Sequence, residues 1–159
     1  MHARSRSRTD HPTVGRSLRL RALLSPPEFS LILPQEFTPD VPHTQLPPAI
    51  FERCIEEMRR CDAALLLLDA FGIDCAFEVG FLKALDRPVI GVAAASTRFL
   101  QNWMIKGGLS AVLCQTPELY AAVASDPIAG ERAVEINGWQ GLAAALRRVV
   151  PCGDDRPGS

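Results

Sequence analysis

Leu65-Leu66-Leu67-Leu68-Asp69-Ala70-Phe71-Gly72-Ile73-Asp74-Cys75-Ala76-Phe77-Glu78-Val79-Gly80-Phe81 is the stretch on which the fold turns. An unbroken apolar run from Ala63 to Leu68 ends in a carboxylate, Asp69. A run without polar alternation reads as a strand covered on both sheet faces, the mark of a parallel sheet. A short loop with Gly72 and a second carboxylate, Asp74, follows, and then a helix-like segment that is apolar almost all round except for Glu78. Carboxylates are rarely withdrawn from water without a partner or a task. The carboxyl end of a buried strand is also where open α/β sheets bind ligands.

Outward from this stretch the chain alternates between two periodicities. Ser17 to Leu24 reads as a short helix ended by Pro26 and Pro27. Phe29 to Leu33 reads as a strand stopped by Pro34, and a proline-rich loop runs to Pro48. From Pro48 to Arg60, the positions Ile50, Phe51, Cys54, Ile55 and Met58 recur at helical spacing. The same reading gives a helix over Cys75–Leu85, packed on most of its circumference, and a buried strand over Pro88–Val92. A helix over Phe99–Lys106 ends at Gly107-Gly108, and a strand covers Ser110–Leu113. Helices are expected over Pro117–Ala124 and Trp139–Val150, joined by Ser125–Gly138, which is irregular or holds a short strand. Strands alternating with helices predict a doubly wound, three-layer parallel α/β sheet of flavodoxin-like type, in one domain over residues 16–150.

The chain has 159 residues and a net charge of −1, so as a whole it does not advertise nucleic acid as a partner. Six arginines (Arg4, Arg6, Arg8, Arg16, Arg19 and Arg21) crowd its start against Asp10 alone. They suit a basic arm, a transit segment or an extension too polar to bury apolar surface. The expectation is a flexible leader over residues 1–15 and a flexible tail over 151–159. No apolar stretch approaches the roughly 20 residues needed to span a bilayer. The five cysteines (Cys54, Cys61, Cys75, Cys114 and Cys152) form no CxxC pair, which fits a reducing, cytoplasmic setting. Cys75 stands where a helix N-terminus would stabilise a thiolate, although free Cys more often packs as a small hydrophobe.

Histidine chemistry is excluded by position, because His2, His11 and His43 all precede the motif. No zinc spacing, no GxxxxGK[ST] and no GxGxxG after a strand occurs, so neither metal nor cofactor is expected. Carboxylates remain. Glu78 has no cation at i+3 or i+4, the positions holding Phe81 and Leu82. An ionised, partly desolvated carboxylate can attack an anomeric carbon; the alternative is a solvated glutamate on a polar stripe. Asp74 is expected to precede the helix, as its N-cap, as a ligand-binding group or as both. Asp69 suits a ligand contact or the opening of an Asx-turn. Asn102 offers both a donor and an acceptor to a sugar or base, or is a surface amide, and Trp103 suits core or interface.

Four stretches together resemble the nucleoside 2-deoxyribosyltransferase family. They are Ile32–Glu36, Cys61–Asp69, Asp74–Ile90 with its Glu78-Val79-Gly80 and Pro88-Val89-Ile90 pieces, and Gln101–Ile105. The likeness spans roughly residues 17 to 124. It implies cleavage of the N-glycosidic bond of 2-deoxynucleosides and transfer of the sugar to another base, with a nucleoside or nucleotide as the small-molecule partner. It further implies Glu78 as nucleophile, Asp74 and Asp69 handling the base, the sugar and the leaving-group proton, and Asn102 reaching a neighbouring subunit's sugar in a homodimer or larger homo-oligomer. Membrane and nucleic acid are not among the expected partners. An N-glycoside hydrolase and a non-catalytic nucleotide-binding module on the same fold are the alternatives.

Two departures from the resembled pattern stand out. The family's Gly-Thr pair before the glutamate is replaced by Asp74-Cys75. The family's first strand has no apolar counterpart, since Met1 to Gly15 is polar and Arg-rich there. The domain is therefore expected to lack that strand, either because the chain is cut short at its start or because something else fills the place.

Overall fold

The computed structural model describes residues 19–24, 26–37, 42 and 45–150. The predicted leader over 1–15 and tail over 151–159 lie outside the described residues. The chain divides into two compact units, one running to Phe37 and the other beginning at Thr38.

In the first unit a helix, α1, has residues 19–23 as its described part. Leu20, Leu24 and Leu33 are buried, and Arg21 forms an ion pair with Glu36. Residues 29–33, expected as a strand, form no regular element, and a 3₁₀ turn over Pro34–Glu36 follows them. A five-residue apolar run becomes a strand only when its backbone finds a ladder, and none of the sheet's ladders includes this one.

The second unit holds a four-stranded, all-parallel sheet in the order β1-β2-β3-β4. Its strands are β1 (Ala64–Leu67), β2 (Val89–Ala93), β3 (Ala111–Cys114) and β4 (Ala133–Glu135). Its helices are α2 (Leu46–Arg60), α3 (Ile73–Ala84), α4 (Trp103–Gly108), α5 (Pro117–Ala124) and α6 (Leu142–Val149). The short strand allowed for within Ser125–Gly138 is therefore β4.

The sheet's two faces follow from the alternation of side chains along each strand. Val89, Ala93, Val112 and Cys114 join Leu66, Leu68, Val79, Leu82, Ile105 and Val123 in one apolar cluster, under α3, α4 and α5. Ile90, Val92, Ala111 and Leu113 are buried outside that cluster, and α6, which packs on β3, buries Leu142, Ala145 and Leu146. Helices on both faces make the doubly wound, flavodoxin-like α/β arrangement read from the sequence. Strand β2 is buried at every position, as a central parallel strand should be. Strand β1 is less covered than its composition predicts, with three of its four residues only half-buried. It pairs with β2 alone, so it is an edge of the described sheet.

Two glycines permit close approaches. A Cβ on Gly91 in β2 would stand 2.6 Å from Leu68 Cδ1 and 3.1 Å from Leu109 Cδ1. Without it, Leu68 closes over the centre of the sheet. A Cβ on Gly108, at the end of α4, would stand 2.2 Å from Val79 Cγ1, so α4 packs directly on α3.

Candidate active site

Helix α3 starts earlier than the sequence suggests. Gly72 is its N-cap, and Asp74 lies inside the first turn instead of capping it. An acidic residue there still meets the positive end of the helix dipole. The helix is also more exposed than its composition predicts, with Ile73 at 90 % and Phe77 at 48 % exposure. Val79 and Leu82 point into the core, with Cys75 and Ala76 against it.

Glu78 sits on the flank of α3 that faces α2. Phe51 of α2 meets Phe77 at 5.7 Å between ring centroids, and the Arg59 guanidinium lies 5.9 Å from the Phe81 centroid. Between these contacts Glu78 is half-buried, and the thiol of Cys54 of α2 is raised by burial and then by the Glu78 charge. Burial, and then the charge of Asp74 one turn earlier, hold the Glu78 carboxyl above the usual glutamate range. No cation pairs with it among the described residues. Withdrawal from water beside a like charge is how a carboxyl group is tuned at functional sites.

Cys75 is not the activated thiol that a helix N-terminus suggested. Burial raises its pKa, the hydrogen bond from the Gly72 backbone N–H lowers it only in part, and the carboxylates of Glu78 and Asp74 raise it further. Among the described residues, Cys54, Cys61, Cys75 and Cys114 are free thiols.

Asp69 lies in a 3₁₀ turn over Leu68–Ala70, directly after β1. Its Oδ1 accepts hydrogen bonds from the amides of Ala94, Ala95 and Ser96, at 3.3, 2.9 and 3.0 Å. The carboxylate thus fastens the loop leaving β2 to the end of β1. Asn102 is the N-cap of α4, its Oδ1 accepting from Ile105 N at 3.1 Å. The single helix expected over Phe99–Lys106 is in fact two elements, a 3₁₀ turn over Arg98–Gln101 and then α4, because the extended backbone of Asn102 interrupts the helical run. Trp103 and Met104, in the first turn of α4, are 73 % and 75 % exposed. The structure therefore brings Asp74 and Glu78 together, and commits one oxygen each of Asp69 and Asn102 to backbone.

Sequence reasoning missed the place of Cys54 beside Glu78, although its helical phase with Ile50 and Met58 marked it as facing inward. It also missed Lys106, whose Nζ lies 2.8 Å from Asp126 Oδ2 with side chains only 8 % and 11 % exposed. Asp126 Oδ1 also accepts from the amides of Ile128 and Ala129, and the Arg132 guanidinium donates to the Lys106 and Gly107 carbonyls. This network ties the end of α4 to the segment before β4. Its links to Lys106 and Gly107 span 20 positions or more, beyond the reach of local pattern.

The sequence model of the family described as nucleoside 2-deoxyribosyltransferase matches residues 14–150. The chain belongs to the nucleoside 2-deoxyribosyltransferase family. No curated protein and no solved structure matches it. Among the described residues, no helix of this family member is long and apolar enough to cross a membrane. The matched region takes in all four strands, α2 to α6 and each candidate residue, with Glu78 inside the stretch that first suggested the site.

Proposed function

We propose that this protein transfers a pentosyl group between bases at the N-glycosidic bond of a (2-deoxy)nucleoside, with Glu78 as nucleophile. The observation that carries the reading is the state of Glu78: half-buried, without a cationic partner among the described residues, and beside a second carboxylate. In the first step the ionised Glu78 attacks C1′, the bond from C1′ to the base nitrogen breaks, and its electron pair leaves with the base. Asp74 handles the proton that the departing base takes up. In the second step a nitrogen of the acceptor base attacks C1′ from the opposite side, Glu78 departs as carboxylate, and the proton lost by the incoming base leaves by the same route. Two inversions give net retention, as a covalent glycosyl-enzyme route requires.

In this reading Asp69 and Asn102 contribute substrate contacts while each keeps its Oδ1 on backbone. Trp103 and Met104 provide the apolar surface of a subunit contact that brings Asn102 to a neighbouring site. The test is product analysis of a 2-deoxynucleoside incubated with and without a second free base, together with mass spectrometry of the denatured protein. A pentosyl adduct on Glu78 and a new nucleoside formed only with the acceptor base are expected. Free sugar at an unchanged rate in both incubations would favour hydrolysis. An adduct on another residue would remove Glu78 from the role.

A further inference from the structure

A cleft of about 370 Å³ opens where β3 and β4 end, lined by Gln115, Pro117, Glu135, Ile136 and Asn137. None of these residues belongs to the proposed glycosyl-transfer chemistry, whose carboxylates follow β1. The backbone framing the cleft is fixed. Gln115 N donates to the Ala93 carbonyl at 3.0 Å, and Ile136 N to the Cys114 carbonyl at 2.9 Å. The Gln115 side chain carries an anomaly: its Nε2 is buried and has no hydrogen-bond partner. A buried donor without an acceptor is costly, so this amide requires one.

We propose that this cleft binds a small, neutral, planar ligand that presents a carbonyl acceptor beside an N–H donor, as on the lactam edge of a heterocycle. Gln115 Nε2 needs an acceptor, which a carbonyl oxygen of a ligand in the cleft would supply. Glu135, when ionised, only accepts, so it needs an N–H or O–H. Asn137 offers both kinds of group. Pro117 and Ile136 give apolar surface to a flat ring. No cation lines the cleft, and Glu118 adds a second carboxylate in the first turn of α5, so phosphates and other anions are disfavoured. The inference rests on the cleft's own chemistry and stands apart from the glycosyl-transfer reading.

The experiment is titration of the full chain with hypoxanthine, followed residue by residue through the amide NMR spectrum, with purine as the probe of like shape that lacks the lactam edge. Saturable shifts at Gln115, Ile136 and Asn137 are expected, with purine at least about fivefold weaker. Gln115→Met and Glu135→Gln, each with an otherwise unchanged spectrum, should weaken hypoxanthine by a similar factor. Glu78→Gln should leave these shifts in place, which separates this site from the catalytic one. The proposal is overturned if the shifts avoid the cleft, if purine binds equally well, or if both cleft variants bind like the parent.

Discussion

Asp74 and Glu78 stand one turn apart on α3, and the charge of the first raises the carboxyl of the second, already lifted by burial. A like charge one helical turn away makes a half-buried carboxyl harder to ionise. Their separation by four positions makes the pairing a property of the helix itself. Transfer activity should accordingly rise with pH through an apparent pKa above the ordinary glutamate range, and in Asp74→Asn, which also loses the proton-handling group, the residual activity should show that limb at lower pH. A pH–rate profile that Asp74→Asn leaves unmoved would separate the two groups.

Glu78→Gln is expected to lower transfer by about a thousandfold or more, the scale seen when a covalent nucleophile is lost. It should also stabilise the fold at neutral pH. The sign follows from linkage: a carboxyl whose pKa is higher in the folded state favours folding while it is protonated, below its unfolded value of 4.5. That contribution disappears as pH rises through the folded pKa. The gain from Glu78→Gln should therefore appear at pH 7 and vanish in acid. Denaturant midpoints at the two pH values decide it, and an equal gain at both would show that the folded carboxyl is not perturbed.

Removing the Asp69 carboxylate should free the loop that it fastens. Asp69→Ala deprives three amides of one acceptor, and hydrogen bonds to a charged group contribute about 1.5–3 kcal/mol. Amide exchange at residues 94–96 should quicken strongly in Asp69→Ala and less in Asp69→Asn, which keeps an acceptor oxygen. Unchanged exchange in Asp69→Ala would mean that the loop holds its shape without the carboxylate.

The buried pair of Lys106 and Asp126 gives a second pH signature, opposite in sign to that of Glu78. Its hydrogen bond to Lys106, followed by the amides of Ala129 and Ile128, holds the Asp126 carboxyl down at about 2. A depressed carboxyl stabilises the fold above its ordinary value of 3.8, and the contribution is lost as pH falls toward about 2. Lys106→Met should destabilise by stranding a charge, and Lys106→Met with Asp126→Leu should recover part of the loss. Thermal melts of the three proteins test this. A double variant no better than the single one would assign the effect to packing.

Asn102 offers a test of assembly. Glu78→Ala and Asn102→Ala proteins should each be weak, and mixing them after subunit exchange should restore activity if Asn102 serves the partner subunit's Glu78. Part of the Asn102→Ala effect is local, since losing an N-cap costs about 1 kcal/mol of stability, and Asn102→Asp separates that part by keeping the cap. A strictly monomeric active protein would end the idea.

Much of the framework was legible because its signals are local. The apolar runs read as strands over Ala63–Leu68 and Pro88–Val92 form β1 and β2, adjacent and parallel as expected, although only β2 is buried throughout. Thr116-Pro117 set the start of α5 where it was read, since proline favours a helix's first turn and the Thr116 side chain caps it. Glu78 declared itself as a lone acid among apolar neighbours.

Other features were fixed only by what the folded chain brings together. Residues 29–33 have a strand's composition and no strand's hydrogen bonds, because a strand exists only through its neighbour. Asn102 breaks a helix that periodicity ran through, because a cap residue must leave helical geometry to reach the amide three positions on. Asp69 suited a ligand contact or the opening of an Asx-turn, and its Oδ1 meets amides 25 to 27 positions away. The sequence alone determines which residues are apolar and at what period, and hence the α/β class and the helix that carries Glu78. The destinations of Asp69, Lys106 and Gln115 were settled by tertiary structure, because hydrogen bonds and ion pairs depend on distances in space that spacing along the chain does not encode.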